Sequence, residues 1–135
     1  MQQNTNKYLS WQIGASAQRK HTITSGDVSV FVDLIGDVNP VHKGTQSAAI
    51  IVPGAMLIGL ATGLVGSQLP GSGCILISQE AAYLLPVYAG DTVQMSAEII
   101  AKDDQKQHLF ISTCCTSEQR ELLMTGKIVV MLRKR

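Results

Sequence analysis

The sequence predicts an α+β fold in which a curved antiparallel sheet wraps around one central apolar helix. Two observations predict it. The stretch from residue 44 to residue 79 contains no charged residue and includes a long apolar segment with helical spacing. Strand-like segments follow it, joined by short connections that favour antiparallel pairing. At 135 residues, the chain is expected to form a single domain over residues 1–135 and to bury a core without disulfides or metal.

Composition and charge narrow the class of protein. Hydrophobic residues make up 45% and charged residues 16% of the chain, which is typical of a folded domain with some apolar surface covered by a partner chain. The net charge is +1 and the basic residues are scattered except at 133–135, so nucleic acid is not an expected partner. Cys74, Cys114 and Cys115 fit neither a disulfide framework nor a zinc site, which indicates a reducing cytoplasm. The polar N-terminus lacks the apolar core of a signal peptide.

The first predicted elements are a short strand and a helix. The strand is predicted over residues 21–24. Ser25 is the expected N-cap of the helix, and Asp27 lies in its first turn, where a negative charge suits the helix dipole. Gly36 is expected to end the helix. The apolar residues between these limits recur at helical spacing: Val28, Phe31, Val32 and Ile35.

The long apolar segment predicts the central helix, from Gly54 to about Leu69, after a loop over residues 37–53. Pro53 and Gly54 interrupt the apolar run and leave it too short for a membrane span, so a helix buried on most sides is the expectation. Glycine is costly inside a helix, which predicts that a sheet or a ligand passes close to the glycine-bearing face. The glycines on that face are Gly59, Gly63 and Gly66.

Four strands are predicted after this helix, over residues 74–87, 92–100, 108–116 and 122–134. The second is the clearest, because apolar residues alternate there with polar ones: Val93, Met95, Ala97 and Ile99. A sheet that must cover a wholly apolar helix is expected to curl around it. That architecture is the hotdog fold.

Three stretches of the sequence carry a resemblance to a known family. "FVDLIGDVNPVH" is similar to the signature of the MaoC-like (R)-specific enoyl-CoA hydratases. "IVPGAMLIGLATGLVGSQLPGSG" resembles the helix that follows in that family, and "LLPVYAGDTV" resembles its later strand connection. The resemblance implies a hotdog enzyme of fatty acid metabolism, a hydro-lyase. It would add water to a trans-2-enoyl-CoA and give a (3R)-hydroxyacyl-CoA.

The resemblance also implies that Asp37 and His42 are the acid–base pair of the site. A carboxylate and an imidazole that hold the same water molecule can act as general base and general acid. Residues five positions apart share no helix face, but Asn39 and Pro40 predict a bend that brings the pair together. These two residues are therefore the expected supports of the catalytic loop.

Gly54 and Thr62 take the remaining roles that the resemblance implies. Gly54 corresponds to the backbone N–H that stabilises the thioester oxygen, and a helix N-terminus favours negative charge at such a donor. Without a side chain at this position, a thioester carbonyl is expected to approach the N–H closely. Thr62 corresponds to a position, often serine, that faces the site. Two departures from the family pattern are Pro53, where histidine is usual, and the short segment between His42 and Gly54.

The expected substrate is an acyl-CoA thioester, with no metal and no cofactor beyond the coenzyme A of the substrate. A sheet wrapped on one helix leaves an edge strand exposed, so a homodimer or a dimer of dimers is expected. Three alternatives stay open: a hotdog acyl-CoA thioesterase, an acyl-carrier-protein dehydratase, and a non-catalytic module that binds acyl thioesters. The predicted central helix carries no Asp or Glu, which argues against the thioesterase.

Overall fold

The computed structural model describes residues 8–44 and 49–132, and these form an antiparallel sheet with α-helices. The order along the chain is β1 (Ser16–Thr22), α1 (Ser25–Ile35), a 3-10 turn (Pro40–His42), α2 (Gly54–Gln68), β2 (Cys74–Tyr83), β3 (Thr92–Asp103), β4 (His108–Ser117) and β5 (Leu122–Leu132). In the described part of the chain the sheet has five strands in the order β1-β3-β4-β5-β2, all pairings being antiparallel. The predicted α+β class is confirmed.

The core lies between α2 and one face of the sheet. The predicted alternation in β3 is confirmed, since its apolar set is buried while the residues between are half-buried or exposed. The same period of two continues in β4 and places every second side chain against the core. From α2 the buried side chains are Leu57, Ala61, Leu64 and Val65. The apolar face of the sheet therefore covers one side of the helix.

The opposite side of α2 is open, which corrects the expectation of a helix buried on most sides. Gly59, Gly63 and Gly66 are exposed, and apart from the helix itself no described atom lies within 4 Å of where a Cβ would stand at any of them. The sheet alternative of that prediction is therefore wrong for this chain, and the ligand alternative stays a prediction. Among the described residues, no helix has both the length and the hydropathy that crossing a membrane requires.

Helix α1 is capped one residue earlier than predicted. Thr24, not Ser25, is the N-cap: its hydroxyl accepts from the Asp27 N–H at 3.0 Å, and the Asp27 carboxylate accepts from the Thr24 N–H at 3.0 Å. This reciprocal pair is a capping box. The helix ends as predicted at Gly36, whose φ of 73° is the left-handed conformation that glycine adopts without strain.

Strand β2 is shorter than predicted and forms an edge of the sheet. It pairs only with β5, and its ladder ends at Tyr83, after which the N–H groups of Leu84 and Leu85 both donate to the Leu123 carbonyl. Most of its residues are exposed, including the consecutive apolar side chains of Ile75, Leu76 and Ile77. The chain then turns through residues 84–87 beside the start of α2, because the Val52 N–H donates to the Val87 carbonyl at 2.8 Å.

A polar contact that the sequence did not predict joins Tyr8 to the β3–β4 hairpin. The buried Tyr8 hydroxyl donates to Asp104 at 2.7 Å, and the Lys102 ammonium lies 4.3 Å from the ring centroid. Lys102 also donates to the Trp11 carbonyl at 2.7 Å. Burial, together with the hydrogen bond to Asp104, raises the pKa of Tyr8 to about 12. These contacts hold Tyr8 and Trp11 against the sheet.

Candidate active site

The loop after α1 is built by short side-chain to backbone hydrogen bonds. Asp37 Oδ1 accepts from the Asn39 N–H at 2.9 Å, and Asn39 Oδ1 accepts from the Val41 N–H at 3.3 Å. Pro40 begins the 3-10 turn, where its fixed φ fits and its missing N–H removes no bond. Asn39 and Pro40 therefore bend the chain as predicted, and His42 comes back toward Asp37.

His42 is oriented by the backbone of the segment that leads into α2. Its Nδ1 lies 2.6 Å from the Ile51 carbonyl oxygen, a partner that can only accept, so Nδ1 carries a proton and donates. Nε2 then faces Asp37, 3.4 Å from its Oδ2. The His42 side chain is 11% exposed and the Asp37 side chain 28% exposed, so the pair is shielded but reachable from solvent.

This tautomer determines what the pair can hold. In neutral His42 the Nε2 atom is an acceptor, and the ionised Asp37 carboxylate also accepts only. Two acceptors that face each other suit a water molecule that donates one proton to each. After Nε2 takes up a proton, the imidazolium is stabilised by the Asp37 carboxylate on one side and the Ile51 carbonyl on the other. The geometry thus fits proton transfer to and from one bound water.

Gly54 begins α2, as predicted, and its N–H points out of the helix start. Pro53 is the N-cap and offers no side-chain cap, and no hydrogen bond between described residues uses the Gly54 N–H. Gly54 and His42 line the same cleft of about 370 Å³, with apolar walls from Val52, Leu57 and Leu85. Gly54 and the imidazole therefore border one cleft. Asp37 is not among the residues that line it and lies beside the imidazole at Nε2.

Thr62 lies outside this cleft, about two turns further along α2. Its hydroxyl is 2.9 Å from the Ile58 carbonyl and 2.8 Å from Gln79 Oε1 on β2. The structure therefore brings Asp37, His42 and Gly54 together and places Thr62 at a contact between the central helix and the edge strand.

Chemistry, rather than size, distinguishes the cleft at His42 from others on the surface. A cleft of about 530 Å³ lies among Lys20, Gln94 and Arg120, at the start of β3 and the end of β4, and neither member of the pair lines it. Within the described ranges, no group of three or more His, Cys, Asp or Glu side chains is placed to share a metal ion.

Sequence reasoning missed three residues of this region. Ile51 acts through its carbonyl, and no side-chain pattern in a sequence signals a backbone acceptor. Gln79 and Tyr83 belong to β2, where their positions on the strand face turned to α2 emerge only from the register with β5. Tyr83 lines the cleft together with His42 and Gly54.

Comparison with known proteins adds family information to this geometry. The family model described as "MaoC like domain" matches residues 12–118. The (R)-specific enoyl-CoA hydratase of Aeromonas caviae is 33% identical over 129 residues, which are 91% of this chain and 96% of that protein. A 3-hydroxybutyryl-CoA dehydratase of Methylorubrum extorquens is 29% identical over 130 residues, 92% of this chain and 82% of that protein.

Solved structures agree with the fold. The (R)-hydratase of A. caviae superposes with a TM-score of 0.85 at 32% identity, over 92% of this chain and 98% of that chain. An R-hydratase of Pseudomonas aeruginosa gives a TM-score of 0.86 at 24% identity, over 95% of this chain and 86% of that chain. The predicted hotdog architecture is confirmed.

Proposed function

Because this chain belongs to the MaoC-like domain family, we propose that it is an (R)-specific enoyl-CoA hydratase. The reaction adds water to a trans-2-enoyl-CoA and gives a (3R)-hydroxyacyl-CoA. The observation that carries the proposal is the 3.4 Å approach of Asp37 Oδ2 to His42 Nε2 beside a cleft that His42 and Gly54 both line. Identity of 33% to an (R)-specific enoyl-CoA hydratase over most of the chain supports the choice of reaction.

In the proposed mechanism, Asp37 and His42 hold the attacking water and manage its proton. The water oxygen bonds to the β-carbon of the enoyl group while one of its protons passes to the pair. The electrons of the carbon–carbon double bond shift toward the thioester, whose oxygen gains negative charge. Asp37 and His42 then deliver one proton to the α-carbon, which restores their starting protonation state. No electron transfer is involved, so the proposal includes no cofactor and no metal beyond the coenzyme A of the substrate.

Gly54 supplies the donor for the thioester oxygen in this proposal. Its N–H lies at the positive end of the α2 dipole and has no acceptor among the described residues. A fixed donor directed at developing charge contributes about 3 kcal/mol to the transition state in comparable sites. The apolar walls of the cleft strengthen such a contact by excluding water.

Crotonyl-CoA hydration tests the proposal, followed as loss of the enoyl-thioester absorbance. We expect Asp37→Asn and His42→Ala each to lower kcat at least about 100-fold, because each removes one partner of the proton transfer. Asp33→Asn is the matched control: it changes an exposed carboxylate of α1, four residues from Asp37, and should retain the wild-type rate. A wild-type protein inert on C4 to C8 enoyl-CoAs, or full activity in both variants, would contradict the proposal.

We further propose a homodimer, built by pairing the β2 strands of two copies. The exposed apolar residues of β2 and its free edge support this arrangement, since such an edge favours strand addition.

A cytoplasmic location is part of the same proposal. The unpaired state of Cys74, Cys114 and Cys115 supports a reducing compartment.

A further inference from the structure

The Tyr83 ring occupies the space where residue 54 would carry a side chain. A Cβ placed on Gly54 would lie 2.8 Å from Tyr83 Cζ, 3.0 Å from Cε2 and 3.1 Å from Cε1. Contacts below 3.0 Å are not tolerated between such atoms, so any larger residue at 54 must displace the ring. The tight fit at this point therefore involves an aromatic side chain of the edge strand.

The order of these contacts shows how the ring is placed. The hydroxyl oxygen is not among the three nearest atoms, although it is bonded to the nearest one, so Gly54 meets the face of the ring near its hydroxyl end. Tyr83 is the last residue of β2, held in register opposite Met124 of β5. Its hydroxyl makes no hydrogen bond to a described residue, and the residue is 48% exposed. The ring is thus fixed at its base and open to the cleft at its tip.

We propose that Tyr83 is a positioning residue of the active site and that residue 54 is glycine in order to admit its ring. This inference rests on the proposed hydratase function. The ring closes the side of Gly54 on which a side chain would project. The thioester oxygen then reaches the N–H through the part of the cleft that His42 also lines. An aromatic wall beside the donor also excludes water, and a dry donor binds developing charge more strongly.

The kinetic test compares Tyr83→Ala with Tyr83→Phe in crotonyl-CoA hydration. Tyr83→Ala should lower kcat at least about tenfold and change KM less than about threefold, because the lost alignment matters in the transition state. Tyr83→Phe should restore most of that loss, since it keeps the ring. Tyr88→Ala, a tyrosine of similar exposure outside the cleft, is the matched control and should retain the wild-type kcat. If Tyr83→Phe is as impaired as Tyr83→Ala, the hydroxyl matters rather than the ring, and the inference is overturned.

A double-mutant cycle asks why residue 54 is glycine. Gly54→Ala should lower the melting temperature and kcat in the wild-type background. It should do so by much less in the Tyr83→Ala background, where its methyl group meets no ring. If Gly54→Ala lowers the melting temperature and kcat equally in both backgrounds, glycine is needed at 54 to make room for the substrate and not for the Tyr83 ring. That result would overturn the inference. The melting temperatures do not depend on turnover. An inactive wild-type protein would therefore contradict the proposed function, but the coupling between residues 54 and 83 could still be measured from the melting temperatures.

Discussion

The hydrogen bond between His42 Nδ1 and the Ile51 carbonyl determines which ring nitrogen is available for chemistry. Without that acceptor, either nitrogen of the neutral ring can carry the proton, and only one of the two tautomers presents a lone pair to the Asp37 side. The Ile51 carbonyl fixes the tautomer with the proton on Nδ1 before substrate binds. The Ile51 carbonyl oxygen thus leaves both His42 Nε2 and the Asp37 carboxylate as acceptors, and together they can accept hydrogen bonds from the two protons of one water.

Thr113 provides a residue-scale prediction about stability. Its hydroxyl is buried against the core and has no hydrogen-bond partner within the described part of the chain. A buried hydroxyl without a partner costs about 1–3 kcal/mol, so Thr113→Val should raise the free energy of unfolding by about 1 kcal/mol. Urea unfolding measures this. Thr62→Val is the matched control, because that hydroxyl has partners in Ile58 and Gln79, and the same change there should not stabilise.

Individual site residues were predictable to the extent that their side chains form a pattern. Asp37, Asn39, Pro40 and His42 occur together in six positions, and the chemistry of each fits the bend. The acceptor that orients His42 is a carbonyl, which every residue carries, so the sequence has no sign of it. Tyr83 was equally hidden, since it lies 29 positions after Gly54 and only the pairing of β2 brings its ring there.

At the scale of the element, the start of α1 allows a direct test of the cap assignment. Thr24→Ala removes the hydroxyl that accepts from the Asp27 N–H, and should lower the free energy of unfolding by about 1 kcal/mol. Ser25→Ala changes the neighbouring residue, which spacing alone had favoured as the cap, and should be close to neutral. Both variants are compared by thermal or urea unfolding. A larger loss from Ser25→Ala than from Thr24→Ala would contradict the observed cap.

The elements themselves were predictable in proportion to the strength of their periodicity. Strand β3 alternates cleanly, and its predicted start at residue 92 is correct. Helix α2 was expected to be buried on most sides because its sequence is apolar on all sides. Glycine and alanine add little side-chain surface, however, so a face made of Ala55, Gly59 and Gly63 can stay exposed at low cost. Small size, which hydropathy does not register, explains the open face.

At the scale of the whole molecule, the full order of strands in the sheet could not be predicted from the sequence. Strand β2 precedes β3 in the chain, yet it pairs with β5, while β3 lies between β1 and β4. Short connections predicted that the four strands after α2 would pair in chain order, because a hairpin joins adjacent strands. The prediction is confirmed for β3-β4-β5 and wrong for β2, which pairs with β5 although only residues 84–91 connect it to β3. The edge position of β2, and with it the position of Tyr83, follows from its pairing with β5.

The proposed dimer gives a whole-molecule prediction that concerns this edge. Strand β2 carries exposed apolar residues at 75–77, between 38% and 46% accessible, beside an unpaired backbone edge. Lysine at an edge opposes strand addition through repulsion and desolvation, so the double variant Ile75→Lys/Ile77→Lys should shift the protein from dimer to monomer at micromolar concentration. Sedimentation velocity measures the two species.

Ile100→Lys is the matched control for that shift, because Ile100 has 43% accessibility, like β2, but belongs to the central part of the sheet, on β3. It should leave the dimer intact. If Ile100→Lys dissociates the dimer and the β2 variant does not, the copies associate through the outer sheet face instead of the edge. If the edge model holds, the β2 variant should also lose activity, because Tyr83 ends that strand and lines the cleft with His42. Assembly and catalysis would then depend on the same ten residues, Cys74–Tyr83.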